Sequence, residues 1–175
     1  METLTDEIIM QKVATGNLDV LKLLFDRHHK HVYNFLYKMS GDRMLSEDLT
    51  QDVFYKVIKY RNTYKNGSFV SWLFTIARNS LNTHFTRNQR NHDDIEVLEY
   101  KPLESESITS QEDYSHLQSV LNKLDPSDRE LIILNRFKEI KYEELAEIVG
   151  STPGAVKTRV CRVLKKVKQM YLETI

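Results

Sequence analysis

The stretch YEELAEIVGSTPGAVKTRVCRVLKKVK, Tyr142 to Lys168, decides the reading of the chain's second half. A helix over Tyr142–Val149 is stopped by Gly150, and Thr152-Pro153 starts another that runs to about Leu172. Thr152 suits the N-cap, and Pro153 suits the first turn, where a missing N–H has no partner to lose. Two helices joined by so short a turn make a helix-turn-helix, whose second helix is shaped to enter a major groove. Val156, Val160, Val163, Leu164 and Val167 form its apolar stripe. Lys157, Thr158, Arg159, Arg162, Lys165, Lys166 and Lys168 fill the remainder without a carboxylate among them. A face of one sign neutralises phosphate, whereas a merely solvated helix intersperses Glu for i,i+4 pairs. The segment predicts DNA binding.

Upstream of it, His116–Leu124 is expected to be helical. Asp125-Pro126 with Ser127-x-x-Glu130 carries Pro near a first turn and a capping-box pattern, opening a helix to about Lys138. Farther back, residues 93–115 hold eight acidic side chains against Lys101 alone, with Pro102 inside and no helical period. That composition marks a linker. Residues 1–92 carry 13 basic and nine acidic groups, and 116–175 carry 11 and eight. The net charge of zero over 175 residues thus hides two neutral-to-basic lobes on either side of an acidic strap. The strap could fold over the basic surfaces of the free protein and delay DNA binding.

In the first lobe the pattern predicts helices over Thr5–Ala14, Asp19–Met39, Ser46–Tyr60 and Phe69–Arg87. Leu21, Leu24, Phe25, Val32, Phe35 and Leu36 are expected on the buried side of the second, which stops at Ser40-Gly41. The fold class is therefore all-α: two small helical domains, 1–92 and 116–175, joined by a flexible acidic linker.

The helix from Phe69 places Ser71, Thr75, Arg78, Asn79, Asn82, Thr86 and Arg87 on one face, opposite Phe69, Leu73, Ile76, Ala77, Leu81 and Phe85. Amides and hydroxyls can donate to and accept from base edges, and Arg pairs with phosphate. Tyr64, Phe69 and Trp72 lie beside this face, aromatics on which a single strand could stack. On the preceding helix Asp48, Gln51, Asp52 and Tyr55 recur on the side opposite Leu45, Leu49, Val53 and Val57. Acids there repel DNA, so that face suits a basic protein partner.

Other chemistry finds little support. His28-His29-x-His31 has no further Cys or His at ligand spacing, so no metal is expected. Cys161 has no His–acid partner suggested by the sequence, and no phosphate-cradling or hydrolase motif occurs. Neither an enzyme nor a cofactor is expected. One cysteine suits a reducing compartment. METLTDEIIMQK lacks a signal-peptide layout and no apolar run approaches a membrane span, so a cytoplasmic protein without membrane insertion is expected.

The stretch 23–90, with DLTQDVF followed by SWLFTIARN, resembles the first conserved domain of bacterial sigma factors of the extracytoplasmic-function (ECF) group, in the sigma-70 family. The stretch 124–167, beginning LDPSDRELIILNRF, is similar to their second domain. The resemblance implies a non-enzymatic subunit that binds core RNA polymerase and promoter DNA. Asp48, Gln51, Asp52 and Tyr55 would dock on the polymerase clamp helices, and the second lobe near the flap region. Tyr64, Lys65, Asn66, Ser68, Phe69, Trp72, Arg78, Asn79, Asn82 and Arg87 would meet the −10 element and hold an unpaired base. Thr152, Pro153, Lys157, Thr158, Arg159, Arg162 and Lys165 would read the −35 element. The linker would thread through the RNA exit region, and an anti-sigma factor is an expected partner. The turn Ser151-Thr152-Pro153-Gly154 departs from the family's more hydrophobic approach to its reading helix, which leaves the −35 bases open. The rival reading is a stand-alone helix-turn-helix regulator on duplex operator DNA. An adaptor that binds only protein is a second.

Overall fold

The structure is a computed structural model that describes residues 3–91 and 111–173, which pack as two separate compact units. Among the described residues every regular element is helical. Most of the acidic strap lies outside the described residues, and its proposed folding over the lobes with it.

In the first unit, α1 (Asp6–Ala14) starts where the Thr5 hydroxyl accepts from the Ile8 N–H at 3.3 Å. A 3₁₀ turn, Leu18–Val20, leads into α2 (Leu21–Ser40), two residues later than the Asp19 start expected. Gly41 ends α2 at φ 68°, where its N–H reaches the Tyr37 carbonyl at 2.7 Å. Helix α3 (Arg43–Lys59) begins three residues before the Ser46 expected, because Asp42 supplies the cap and accepts from the Leu45 N–H at 3.0 Å. Ser46 is buried instead, its hydroxyl donating to the Asp42 carbonyl. Helix α4 (Phe69–Asn91) runs four residues past the Arg87 expected.

The core of this unit joins Ile9, Met10 and Val13 of α1 to Leu24, Val32, Phe35 and Leu36 of α2. Val53 and Val57 of α3 and Leu73, Phe74, Ala77 and Leu81 of α4 complete it. Phe35 meets Phe74 edge to face, with ring centroids 5.7 Å apart. Phe25, expected inside, and Phe85, on the side of α4 opposite its polar face, are each about two-fifths exposed. Phe25 is held at the rim, stacked on His29 and edge-on to Phe54.

In the second unit, α5 (Gln111–Asn122) starts five residues before the His116 expected. Helix α6 (Pro126–Ile132) has Asp125 at its N-cap and Pro126 in its first turn, so Ser127 is not the cap that the capping-box pattern suggested. The chain then widens into a π turn, Ile133–Phe137, in which the Lys138 N–H reaches back to the Ile133 carbonyl. Glu139 turns it with φ 55°, and the Asn135 side chain donates to the Ile140 carbonyl at 3.0 Å. Helix α7 (Tyr142–Val149) and helix α8 (Pro153–Glu173) follow.

Gly150 stops α7 at φ 71°, with open space where a Cβ would stand. Its need is conformational, so Gly150→Ala is expected to cost about 1–2 kcal/mol, the left-handed penalty of an L-residue. A urea titration checks this. The core of this unit is Val120, Leu121, Leu131, Ile133, Leu134, Leu145, Ile148, Val156, Val160 and Val163. Leu164 and Val167, expected in the same stripe, are half-buried.

Candidate nucleic-acid interface

On α8 the cap is present: the Ala155 N–H donates to the Thr152 hydroxyl at 3.2 Å. Burial of Val156, Val160 and Val163 turns Pro153, Lys157, Thr158, Arg162 and Lys165 outward, all exposed. The positive end of the helix dipole and these cations add in sign, which favours phosphate at the start of the helix. Thr158 is partly committed, its hydroxyl donating to the Gly154 carbonyl at 3.0 Å. Arg159 is committed further. Its Nε and Nη2 lie 2.9 and 2.8 Å from one oxygen of Asp128, and Nη2 also donates to the Ser127 hydroxyl at 2.7 Å. It fastens α8 to α6 in the free protein. Cys161 is exposed on the same helix.

On α4 the polar face is shorter than the sequence suggested. Ser71 is buried, and Thr75 is half-buried with its hydroxyl donating to the Ser71 carbonyl at 2.6 Å. Asn79, Asn82, Thr86 and Arg87 are exposed, with Arg78 half-buried beside them. Ser68 caps the helix, its hydroxyl accepting from the Ser71 N–H at 3.3 Å.

The aromatics before α4 are also deeper than a stacking platform requires. Phe69 has no exposed surface and Tyr64 is buried, while Trp72 is half-buried. Tyr64 packs edge-on against Trp72, with centroids 5.4 Å apart, and its hydroxyl donates to the Gly67 carbonyl across the loop. Burial, then the Glu7 and Asp6 carboxylates, push the Tyr64 phenol above its ordinary value and keep it a donor. Lys65, Asn66 and Gly67 form the exposed tip of this loop. Tyr64 and Phe69 therefore support the loop from inside.

On α3, Asp48, Gln51 and Tyr55 are exposed on one side, with Tyr55 at 61%. Asp52 is half-buried and pairs with Lys56 at 2.8 Å. The Lys56 ammonium also donates to the Ser80 hydroxyl on α4 at 2.9 Å, tying the two helices together. A groove of about 440 Å³ between α2 and α3, lined by Phe25, His29, Tyr33, Thr50 and Gln51 among others, adjoins this face.

The histidines of α2 are engaged within the lobe. His28 lies 2.7 Å from Asp6, and His29 Nδ1 lies 2.7 Å from the Phe25 carbonyl oxygen. Among the described residues no three His, Cys, Asp or Glu side chains gather as metal ligands, and no helix is long and apolar enough to cross a membrane.

Sequence reasoning missed the Asp128–Arg159 pair and the contacts of α1 with the loop before α4. Both join residues far apart in the chain, and neither leaves a local pattern.

The two lobes thus have the class of a helical, helix-turn-helix nucleic-acid-binding protein. The family Sigma-70 region 2 matches residues 24–91, and Sigma-70, region 4 matches residues 115–167. The chain is 32% identical over 168 residues to the RNA polymerase sigma factor CarQ of Myxococcus xanthus, covering 94% of this chain and 96% of that one. It is 26% identical to the ECF RNA polymerase sigma factor BldN of Streptomyces coelicolor, over 93% of this chain and 64% of that protein. Its fold is similar to that of the sigma factor RpoE of Bartonella quintana, solved in complex with the anti-sigma factor NepR. The TM-score is 0.70 and the identity 28%, covering 85% of this chain and 94% of that one.

The chain belongs to the ECF group of the sigma-70 family of bacterial RNA polymerase sigma factors. A sigma factor binds core RNA polymerase and directs promoter-specific initiation, a role that displaces the stand-alone regulator as the reading of this helix-turn-helix.

Proposed function

We propose that the three surfaces divide the work of promoter recognition. The first lobe, 1–92, docks on the clamp helices through Asp48, Gln51, Asp52 and Tyr55. It takes the non-template strand of the −10 element on the loop tip Lys65–Gly67 and on Arg78, Asn79, Asn82 and Arg87. Tyr64, Ser68, Phe69 and Trp72 set the shape of that loop. Holding a flipped base offsets an unstacking cost of a few kcal/mol and so helps open the duplex. The second lobe, 116–175, reads the −35 element with the α8 start and sits near the flap. The residues of the strap, 93–115, carry their acids through the RNA exit region. The protein acts in the cytoplasm and catalyses nothing itself.

The observation that supports this division best is the outward face of α8. Between Pro153 and Leu172 there is no carboxylate, and the exposed cations begin one turn after a capped N-terminus. An anti-sigma factor completes the reading, and the relative solved with one supports it. We place its contact on the α2–α3 groove, which shares Gln51 with the docking face, so that it and polymerase exclude each other.

The test is selection of duplex promoters from a randomised library by the chain assembled with bacterial core polymerase. The expected outcome is two fixed sequence blocks at constant spacing, recovered only with polymerase present. A palindrome recovered by the free chain would instead restore the stand-alone regulator.

A further inference from the structure

Helix α1 lies before residue 24, where the region 2 match begins, yet its polar side chains reach the loop that precedes α4. The Phe69 N–H donates to the Glu7 carboxylate at 3.2 Å across 62 positions of sequence. This is the first N–H of α4, a donor with no partner inside its own helix. Ser68 satisfies the Ser71 N–H, so one cap is local and the other comes from α1. Four residues along α1, the Gln11 amide donates to the Asn66 side-chain oxygen at 3.0 Å. Asn66 has φ 33°, on the left-handed side, where a residue other than glycine stays only if its surroundings hold it.

Helix α1 is itself a firm base for these contacts. Ile9, Met10 and Val13 have no exposed surface, and Asp6 pairs with Arg27 at 2.8 Å and His28 at 2.7 Å. The His28 ring packs against Phe69, with centroids 5.4 Å apart. Tyr64 feels the same carboxylates, which help hold its phenol protonated. A carboxylate near DNA would ordinarily repel it. Glu7 is half-buried and faces the positive end of α4, which offsets its charge locally.

We propose that Glu7 and Gln11 are positioning residues for base capture: they fix the start of α4 and the backbone of Asn66, and thereby the shape of the exposed loop tip. The proposal rests on the reading that this tip meets the unpaired strand. Neither side chain touches the base. Each acts through the loop, and correct placement of a capturing group by a neighbour is worth about tenfold or more in rate.

The experiment uses the full chain assembled with core polymerase on a promoter recovered by the wild-type holoenzyme. It reads core affinity, the rate of open-complex formation, and discrimination between the preferred base and the other three at the captured position. Glu7→Ala is expected to slow opening about tenfold and to reduce discrimination about fivefold, with core affinity within about twofold of wild type. Glu7→Gln keeps an acceptor oxygen and should recover most of both. Gln11→Ala, at an exposed site where unfolding is not an issue, should reduce discrimination about twofold to threefold.

Unchanged discrimination in both Glu7→Ala and Gln11→Ala would overturn the proposal. Loss of core binding in step with opening would do so too, since it would make α1 a structural support alone. A wild-type chain that binds core yet captures no base at any promoter would overturn the underlying assignment of the loop, and the inference with it.

Discussion

Asp52→Arg is expected to leave the chain folded and to abolish its co-elution with core RNA polymerase on a sizing column. The docking face proposed on α3 combines Asp48 and Asp52 with the amide of Gln51 and the largely exposed ring of Tyr55. Such a face is complementary to a basic partner, and reversing one charge replaces an attraction with a repulsion at the same spot. Truncating one member of a close interfacial charge pair already costs about 2–5 kcal/mol, so a loss of affinity of at least about 100-fold is expected. The internal cost is smaller. Asp52 pairs with Lys56 one turn along its own helix, a contact worth about 0.3–0.5 kcal/mol, and the like-charge pair that replaces it costs a similar amount, so the total is about 1 kcal/mol or less. A thermal melt within a few degrees of wild type together with lost co-elution would establish the docking face. Wild-type affinity in the variant would remove Asp52 from it.

How far the sequence reaches can be judged from the same residues. Amphipathic spacing found the eight α-helices of the described residues and their glycine stops, because Gly16, Gly41 and Gly150 each follow a helix at a positive φ that glycine adopts without strain. Helix α8 was legible down to its cap, since Thr152 accepts from an N–H within the next turn and Pro153 has no N–H to leave unpaired there. Local capping choices were harder: Asp42 and Ser46 can both open α3, and only packing shows that Ser46 is interior. The π turn has no local stop signal, because the residue that reverses the chain is Glu139 rather than glycine.

The candidate site was legible as surfaces and not as contacts. Helical period puts Ser71 on the polar face of α4, but in the fold it is buried. Phe69 and Tyr64 look like stacking rings in one dimension and prove to be buried supports in three. The charge of Arg159 is equally visible in sequence, while its partner Asp128, 31 positions away, is not. Roles set by tertiary contacts, such as the Asp128–Arg159 pair and the burial of Ser71, leave no local pattern, and rival local caps such as Asp42 and Ser46 are told apart only by the packing around them.

That distinction leads to the second large effect, on α8. Arg162 and Lys165 are exposed and spend nothing on the fold, so their substitution should weaken −35 binding without lowering stability. Arg162→Ala is expected to cost about 1–3 kcal/mol at the −35 element, roughly fivefold to 150-fold, with relaxed preference at one base if the guanidinium reads an edge. Lys165→Ala should weaken binding evenly across sequences and reduce the salt slope by about one, the signature of a lost phosphate contact. Arg159→Ala behaves differently from both. Its guanidinium fastens α8 to α6 through Asp128 and Ser127, so its removal should lower the melting temperature and −35 affinity together. Binding of the three variants, assembled with core polymerase, to matched and mismatched −35 duplexes at two or more salt concentrations separates the cases. If Arg162→Ala kept both affinity and base preference, α8 would be read by other side chains. If it lost stability in the way expected of Arg159→Ala, the outward orientation of Arg162 would be wrong, because an arginine free to meet DNA has no fold to hold.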